Sequence, residues 1–279
     1  MAAAGVAGFE EGVILMLLRN ACLLSVVVLF GCDGVDVEPT GLDANAEIVA
    51  NLKVAGYPES EIAVVGDQVI AGGDAVVSLE ASREMIGLAD GHEHEDGTQF
   101  RQYRTSNLVD PSVAVICVDG SAWTGTLSQA LDASIANYTN LGLSFDMKRT
   151  SGSTAGCDAV IKATSKGGAG GSSGFPEGGL PYDTINVGKS TTSYGLAVTT
   201  HVVTHELGHC VGFRHTDYYN RTISCGTGGN EGDGGVGAIH IQGTPTTAVI
   251  DGSVMNSCFN GGSTGKWTAS DVTALNAVY

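Results

Sequence analysis

A chain of 279 residues with 13 Lys and Arg against 30 Asp and Glu carries a formal net charge of −17. That balance excludes a nucleic-acid binder, because phosphates need a basic surface. The length accommodates one domain of ordinary size plus a pre-segment, and 41 glycines forecast a loop-rich architecture.

The N-terminus has the make-up of a targeting signal. Ala21 to Phe30 is an apolar run after Arg19, and it ends at Leu29-Phe30-Gly31-Cys32. A basic residue, a short apolar stretch and a small residue before the cut describe a secretory signal. At about ten residues the run is short of the ~20 needed to span a bilayer. Glu10 and Glu11 do not suit the start of such a signal, which favours Met16 over Met1 as the true start. The Leu-x-Gly-Cys ending resembles a bacterial lipobox, which implies lipidation of Cys32, export from a bacterial cell and a membrane partner through that lipid. A plain signal peptide with an incidental cysteine, and release outside the cell, is the alternative.

Residues 1–32 are therefore expected to be signal, and 33–99 a tether and propeptide-like segment, which would make the chain a zymogen. The tether is polar and acidic to about residue 45. Ile48, Leu52 and Ala55 fall at helical spacing over Ala46–Ala55, which stops at Gly56 and Pro58. Ile62 to Ile70 forms a strand pair turning at Gly66-Asp67, and Leu79 to Leu88 a short helix. No cysteine lies here after Cys32, so a thiolate cannot cap a metal. Gly66-Asp67 loosely resembles the aspartate switch of astacin-type prosegments, although a plain turn is the preferred reading. His92-Glu93-His94-Glu95-Asp96 offers a second metal site; a charged, Gly-flanked join is preferred.

Residues 100–279 contain the main domain. Val113–Val118 is a strand. Trp123, Leu127, Leu131, Ile135 and Tyr138 predict a helix closing near Gly142. Strands at Leu143–Met147 and Ala159–Ala163, a flexible loop at Gly167–Gly174 and a strand at Thr184–Val187 follow. A helix is expected from Leu196 to Val211. Loops then run through Gly237, and Thr268–Tyr279 closes the chain as a helix with Thr268 and Asp271 as a capping pair. In an exported protein Cys117 and Cys157 suit one disulfide, and two of Cys210, Cys225 and Cys258 a second, leaving one thiol free.

The chemistry concentrates in His205-Glu206-Leu207-Gly208-His209-Cys210-Val211-Gly212-Phe213-Arg214-His215-Thr216-Asp217. On a helix, His205 and His209 share a face one turn apart. Gly212 suits a helix end with positive φ, after which the chain can bring His215 to the same metal. Three imidazoles hold one Zn²⁺ and leave a position for water, whose pKa falls to about 7. Glu206 can then act as general base. Cys210 points off the metal face and is a poor fourth ligand. His201, one turn earlier, is read as supporting or core, and Asp217 as a hydrogen-bonding anchor under the site. Tyr218 and Tyr219 are read as packing residues before oxyanion donors. Asn230-Glu231-Gly232-Asp233 offers oxygens to a Ca²⁺ but lacks calcium-loop spacing, so a solvated loop is preferred.

This histidine pattern, followed by Ser253-Val254-Met255-Asn256-Ser257-Cys258, resembles the metzincin clan of zinc peptidases. The resemblance implies that Met255 forms a hydrophobic floor under the histidines. Some metzincins carry a tyrosine two residues after that methionine; Ser257 stands there, so that role is not carried over. Together with Gln102-Tyr103-Arg104-Thr105, Ser224-Cys225, Gly243-Thr244-Pro245 and Ser270-Asp271-Val272, the run is similar to the protease B-like family of bacterial secreted metallopeptidases, whose helix reads H-E-I-G-H where Leu207 here replaces Ile. The resemblance covers about residue 50 onward. It implies an α+β, metzincin-like zincin of two lobes, with a mixed twisted sheet, an active-site helix and a C-terminal helix. The strand before that helix would lie along the cleft edge and pair with substrate. A protein or peptide substrate, cut through a zinc-bound water activated by Glu206, is the expected function. A lipid-anchored surface protein with a structural zinc is the alternative, and the intact Glu206 argues against it.

Overall fold

The computed structural model describes residues 41–87, 102–232, 237–245 and 247–279. The apolar run with Cys32 and the His92–Asp96 join lie outside them. Helix α1 spans Gly41–Val54, so helix begins within the expected tether. Ile48 and Leu52, one turn apart, bury the same face. A three-stranded antiparallel meander follows, β1 (Ile62–Val65), β2 (Gln68–Ala71) and β3 (Ala75–Val77), and then α2 (Leu79–Gly87). Val69, Ala71 and Val77 alternate inward to meet Ile48, Leu52 and Met85. Phe175 is the one buried member of this cluster from beyond residue 87.

The meander continues a larger sheet. Its other strands are β5 (Val115–Asp119), β6 (Asp146–Thr150), β7 (Ala159–Lys166), β8 (Gly171–Gly174) and β9 (Thr184–Gly188). The order is β1-β2-β3-β8-β9-β7-β5-β6. Strands β9, β7, β5 and β6 are parallel; β8 runs antiparallel to β9 and parallel to β3. Helix α3 (Gly125–Thr139) packs against α4 (Leu196–Cys210). Their register is fixed where Ser134 Oγ donates to Thr200 O and Tyr138 Oη to Thr204 O, both at 3.1 Å.

Two expectations change here. The glycine-rich stretch is not loop throughout, because β8 occupies its end. Glycine signals close backbone approach rather than flexibility: a Cβ on Gly174 would lie 2.4 Å from Val76 O. The strand before α4, β9, is also not at an edge. It pairs with β7 on one side and β8 on the other.

Past α4 the chain forms a second small sheet, ordered β10 (Phe213–Arg214), β4 (Tyr103–Arg104), β11 (Ile239–His240). A short α5 (Thr222–Cys225) and α6 (Ala269–Val278) complete it, with Thr268 and Asp271 forming the reciprocal cap at α6. Disulfides join Cys117 to Cys157 and Cys225 to Cys258, and Cys210 is a buried free thiol. The two lobes share one core, in which Ile116, Ile161 and Leu207 are continuous with Phe213, Met255 and Leu275.

Candidate metal centre

Helix α4 is buried on every face from Val198 to Cys210. A helix this enclosed puts His205 and His209 out of bulk water, at 5% and 1% exposure. It also packs hard on the loop below: a Cβ at Gly208 would stand 2.5 Å from Met255 Sδ. Gly212 ends the helix with φ +98, and a Cβ there would meet Asn107 O at 2.6 Å. Thr105 N donates to Gly212 O at 2.8 Å. β10 then pairs with β4 and carries the chain back, which places His215 beside the other two imidazoles.

The hydrogen bonds settle the tautomers. His205 Nδ1 meets Val254 O at 2.8 Å and His209 Nδ1 meets Phe213 O at 2.7 Å. A carbonyl only accepts, so both Nδ1 atoms carry hydrogen, and each ring in its neutral form turns an Nε2 lone pair inward. His215 Nδ1 donates to Glu231 Oε1 at 2.6 Å. The Nε2 atoms stand 3.0 Å apart between His209 and His205, and 3.2 Å between His215 and His205. Donors about 2.0 Å from a tetrahedral ion would be ~3.3 Å apart. Three lone pairs at this spacing repel one another unless a cation lies among them.

A fourth group joins them. Asp74, in the β2–β3 turn, places Oδ2 3.1 Å from His215 Nε2 and 3.5 Å from His205 Nε2, and Oδ1 3.6 Å from His209 Nε2. Its Oδ1 is buried with no hydrogen-bond partner among the described residues. Burial opposes the Asp74 charge, but His215 and His209 outweigh it and hold the carboxyl well below the usual range. Without a cation the surroundings favour the charged form of His205 and, more strongly, of His215. Burial opposes this too, yet Asp74 and Glu231 raise its pKa well above normal. Burial keeps His209 neutral. An orphaned carboxylate oxygen and three converging nitrogens thus fit a Zn²⁺.

Glu206 is 2% exposed. Ser173 Oγ donates to its Oε2 at 2.9 Å. The carboxylate lies so close to β8 that a Cβ on Gly171 would be 2.0 Å from Oε1. Burial, then the Asp74 charge, pushes its pKa up to about 7. A cleft of about 540 Å³ opens beside it, lined by Gly171, Tyr194, Val202, Glu206 and the Asn256–Gly261 loop, and bounded by Gly72–Asp74.

The other sequence-selected residues brace this set. Asp217, fully buried, accepts from Ser224 N and Oγ and from Ser257 N and Oγ, tying the turn after His215 to the Met255 loop. Met255 lies under α4, and its carbonyl accepts from Thr216 N at 2.8 Å. Gln102 Nε2 reaches Asp271 Oδ1 at 2.6 Å, and Asp271 Oδ2 accepts from Val254 N at 3.0 Å. His201 is buried and stacks on His205 with ring centres 6.4 Å apart. Tyr218 packs edge-on against Tyr103 at 4.4 Å. Asp67 lies in the exposed β1–β2 turn, and the carboxylate at the histidines is Asp74. Glu231, singled out only as part of a calcium run, turns its oxygens onto His215 and Arg214. Sequence alone offered no signal for Asp74, Ser173 or Gly171, since none belongs to the histidine motif.

Residues 69–279 match the family model described as dual-action HEIGH metallopeptidase. Two solved structures of myroilysin are similar in part. One is 16% identical, with a TM-score of 0.41 over 62% of this chain and 95% of that one. The other is 16% identical, with a TM-score of 0.36 over 60% and 82%. No curated protein sequence matches the chain.

Proposed function

The chain belongs to the dual-action HEIGH metallopeptidase family, and we propose that it is a zinc endopeptidase in which His205, His209 and His215 hold the metal and Glu206 is the general base. When bound, zinc lowers the pKa of a water and polarises the scissile carbonyl. Glu206 accepts the water's proton on a carboxylate oxygen and passes it to the leaving amine nitrogen. Burial raises this carboxyl above its ordinary range, which suits both halves of that transfer. Ser173 Oγ fixes the orientation of the carboxylate. Met255 and Gly208 hold α4 at its height above the loop, and Asp217 locks the turn behind His215. Tyr194 and Val202 give the cleft beside Glu206 apolar walls against which a peptide side chain can rest.

The observation that carries this reading is the inward turn of three Nε2 lone pairs beside a buried carboxylate that is not needed to hold them. A purely structural zinc has no use for Glu206. Glu206→Gln should lose peptide cleavage by about 10²–10⁴-fold while binding zinc as wild type does. Equal cleavage by the variant would sink the assignment. Export, with or without a lipid on Cys32, completes the proposal and is checked by labelling cells with a fatty-acid probe and comparing wild type with Cys32→Ala.

A further inference from the structure

We propose that the 41–87 segment is an intramolecular inhibitor: Asp74 fills the fourth metal position, and β3 occupies the sheet edge that an extended substrate would use. This rests on the zinc site described above and names how that site is kept closed.

Three independent features place Asp74 there. Its two oxygens span the histidines, within 3.6 Å of all three Nε2 atoms. Its own backbone is pinned at the cleft, because Ser173 N donates to Asp74 O at 3.1 Å. The strand that follows is paired with β8 through Ala75 opposite Ser173 and Val76 opposite Gly174. Ser173 is the residue whose hydroxyl holds Glu206. The β8 edge is therefore next to the reacting groups, and β3 covers it. A peptide adding a strand to that edge needs the same backbone groups.

The segment has an apolar core of its own, joined to the rest of the sheet through the β3–β8 pairing. Its core is Ile48, Leu52, Val69, Val77, Met85 and their neighbours, with Phe175 the one buried contribution from the rest of the chain. Polar clamps hold it down. Arg221 pairs with Glu61 at 2.9 Å and donates to Gly72 O at 2.8 Å, and Arg214 lies 4.1 Å above the Tyr57 ring.

The test uses the full chain loaded with Co²⁺, whose visible absorption reports its ligands, and acetohydroxamate as a metal-binding probe. A tethered carboxylate competes at an effective concentration in the millimolar range. Wild type should therefore bind the probe about tenfold or more weakly than Asp74→Ala. Asp74→Asn keeps the shape and serves if the alanine variant does not fold. Equal probe binding by wild type and both variants overturns the inference. Variants that bind the probe tightly yet cleave no peptide uphold the Asp74 ligand and count against the peptidase assignment instead. Peptide cleavage gained by the unprocessed Asp74 variants supports both.

Discussion

Glu231→Gln tests whether the metal site is oriented from behind. Glu231 is 2% exposed and accepts from His215 Nδ1 at 2.6 Å and from Arg214 Nη2 at 3.2 Å. The amide keeps the volume and one acceptor oxygen, so His215 can stay in place. What is lost is the negative charge that makes the imidazole a stronger base. Changes of this kind behind a metal-ligating histidine cost about 10–100-fold in affinity, which is ~1.4–2.8 kcal/mol. Arg214 is also 2% exposed and loses its carboxylate, a break worth about 3–5 kcal/mol in buried pairs. Arg214 keeps its bond to Gly237 O at 2.6 Å and its place over Tyr57, so the lower end of that range is expected. Zinc competition against a chromogenic chelator reads the first effect, and urea unfolding the second. A folded variant with zinc affinity within about twofold of wild type would refute the reasoning.

Gly171→Ala puts a methyl where Glu206 Oε1 now sits, 2.0 Å away, so cleavage should collapse while zinc binding by chelator competition is unchanged; full activity would contradict the placement of Glu206. Burial lowers the His201 pKa to about 3, and its Nε2 has no partner among the described residues. The unfolded chain therefore binds the proton first: the contribution to stability is whole above pH 6.5 and is lost as pH falls toward 3, at up to ~1.4 kcal/mol per pH unit. His201→Leu should flatten urea-midpoint profiles across that window by one proton's worth, and superimposable profiles would rule the account out. The Cys225–Cys258 bridge closes a loop with a sequence separation of 33. Replacing both cysteines with alanine should cost about 3–4 kcal/mol, and an unshifted denaturation midpoint would show the bridge to be idle.

Much of the site was legible because helix geometry converts spacing directly into position. His205, Glu206 and His209 needed only the helix, and Gly212 and His215 only a tight turn after it. Thr268 and Asp271 were legible for the same local reason. Asp74 and Glu231 were not, since each reaches His215 through the fold: Asp74 is 141 positions away and Glu231 is 16 away across a loop. β8 was read as a loop because Gly171-Ser172-Ser173-Gly174 has neither β-branched nor aromatic residues. Its glycines serve instead to admit Glu206 on one side and Val76 on the other. The edge position assigned to β9 failed for a related reason: sequence order shows which strand precedes α4, but not which strand is inserted beside it.

The loop after Gly212 does two jobs that remain separable. Arg214 and Arg221 grip Tyr57, Glu61 and Gly72, all in the N-terminal segment. The bonds that orient the imidazoles come from elsewhere. Val254 O sets His205, Phe213 O sets His209 and Glu231 sets His215, and all three lie beyond residue 200. Withdrawing residues 41–87 would take Tyr57 from Arg214, and Glu61 and Gly72 from Arg221, but leave every one of those orienting bonds intact. Only the fourth metal position is supplied from the segment, through Asp74. A removable ligand requires this division, because three histidines fixed by their own lobe keep the metal when the fourth group leaves. The position given up then opens next to Glu206, where Ser173 already holds the base.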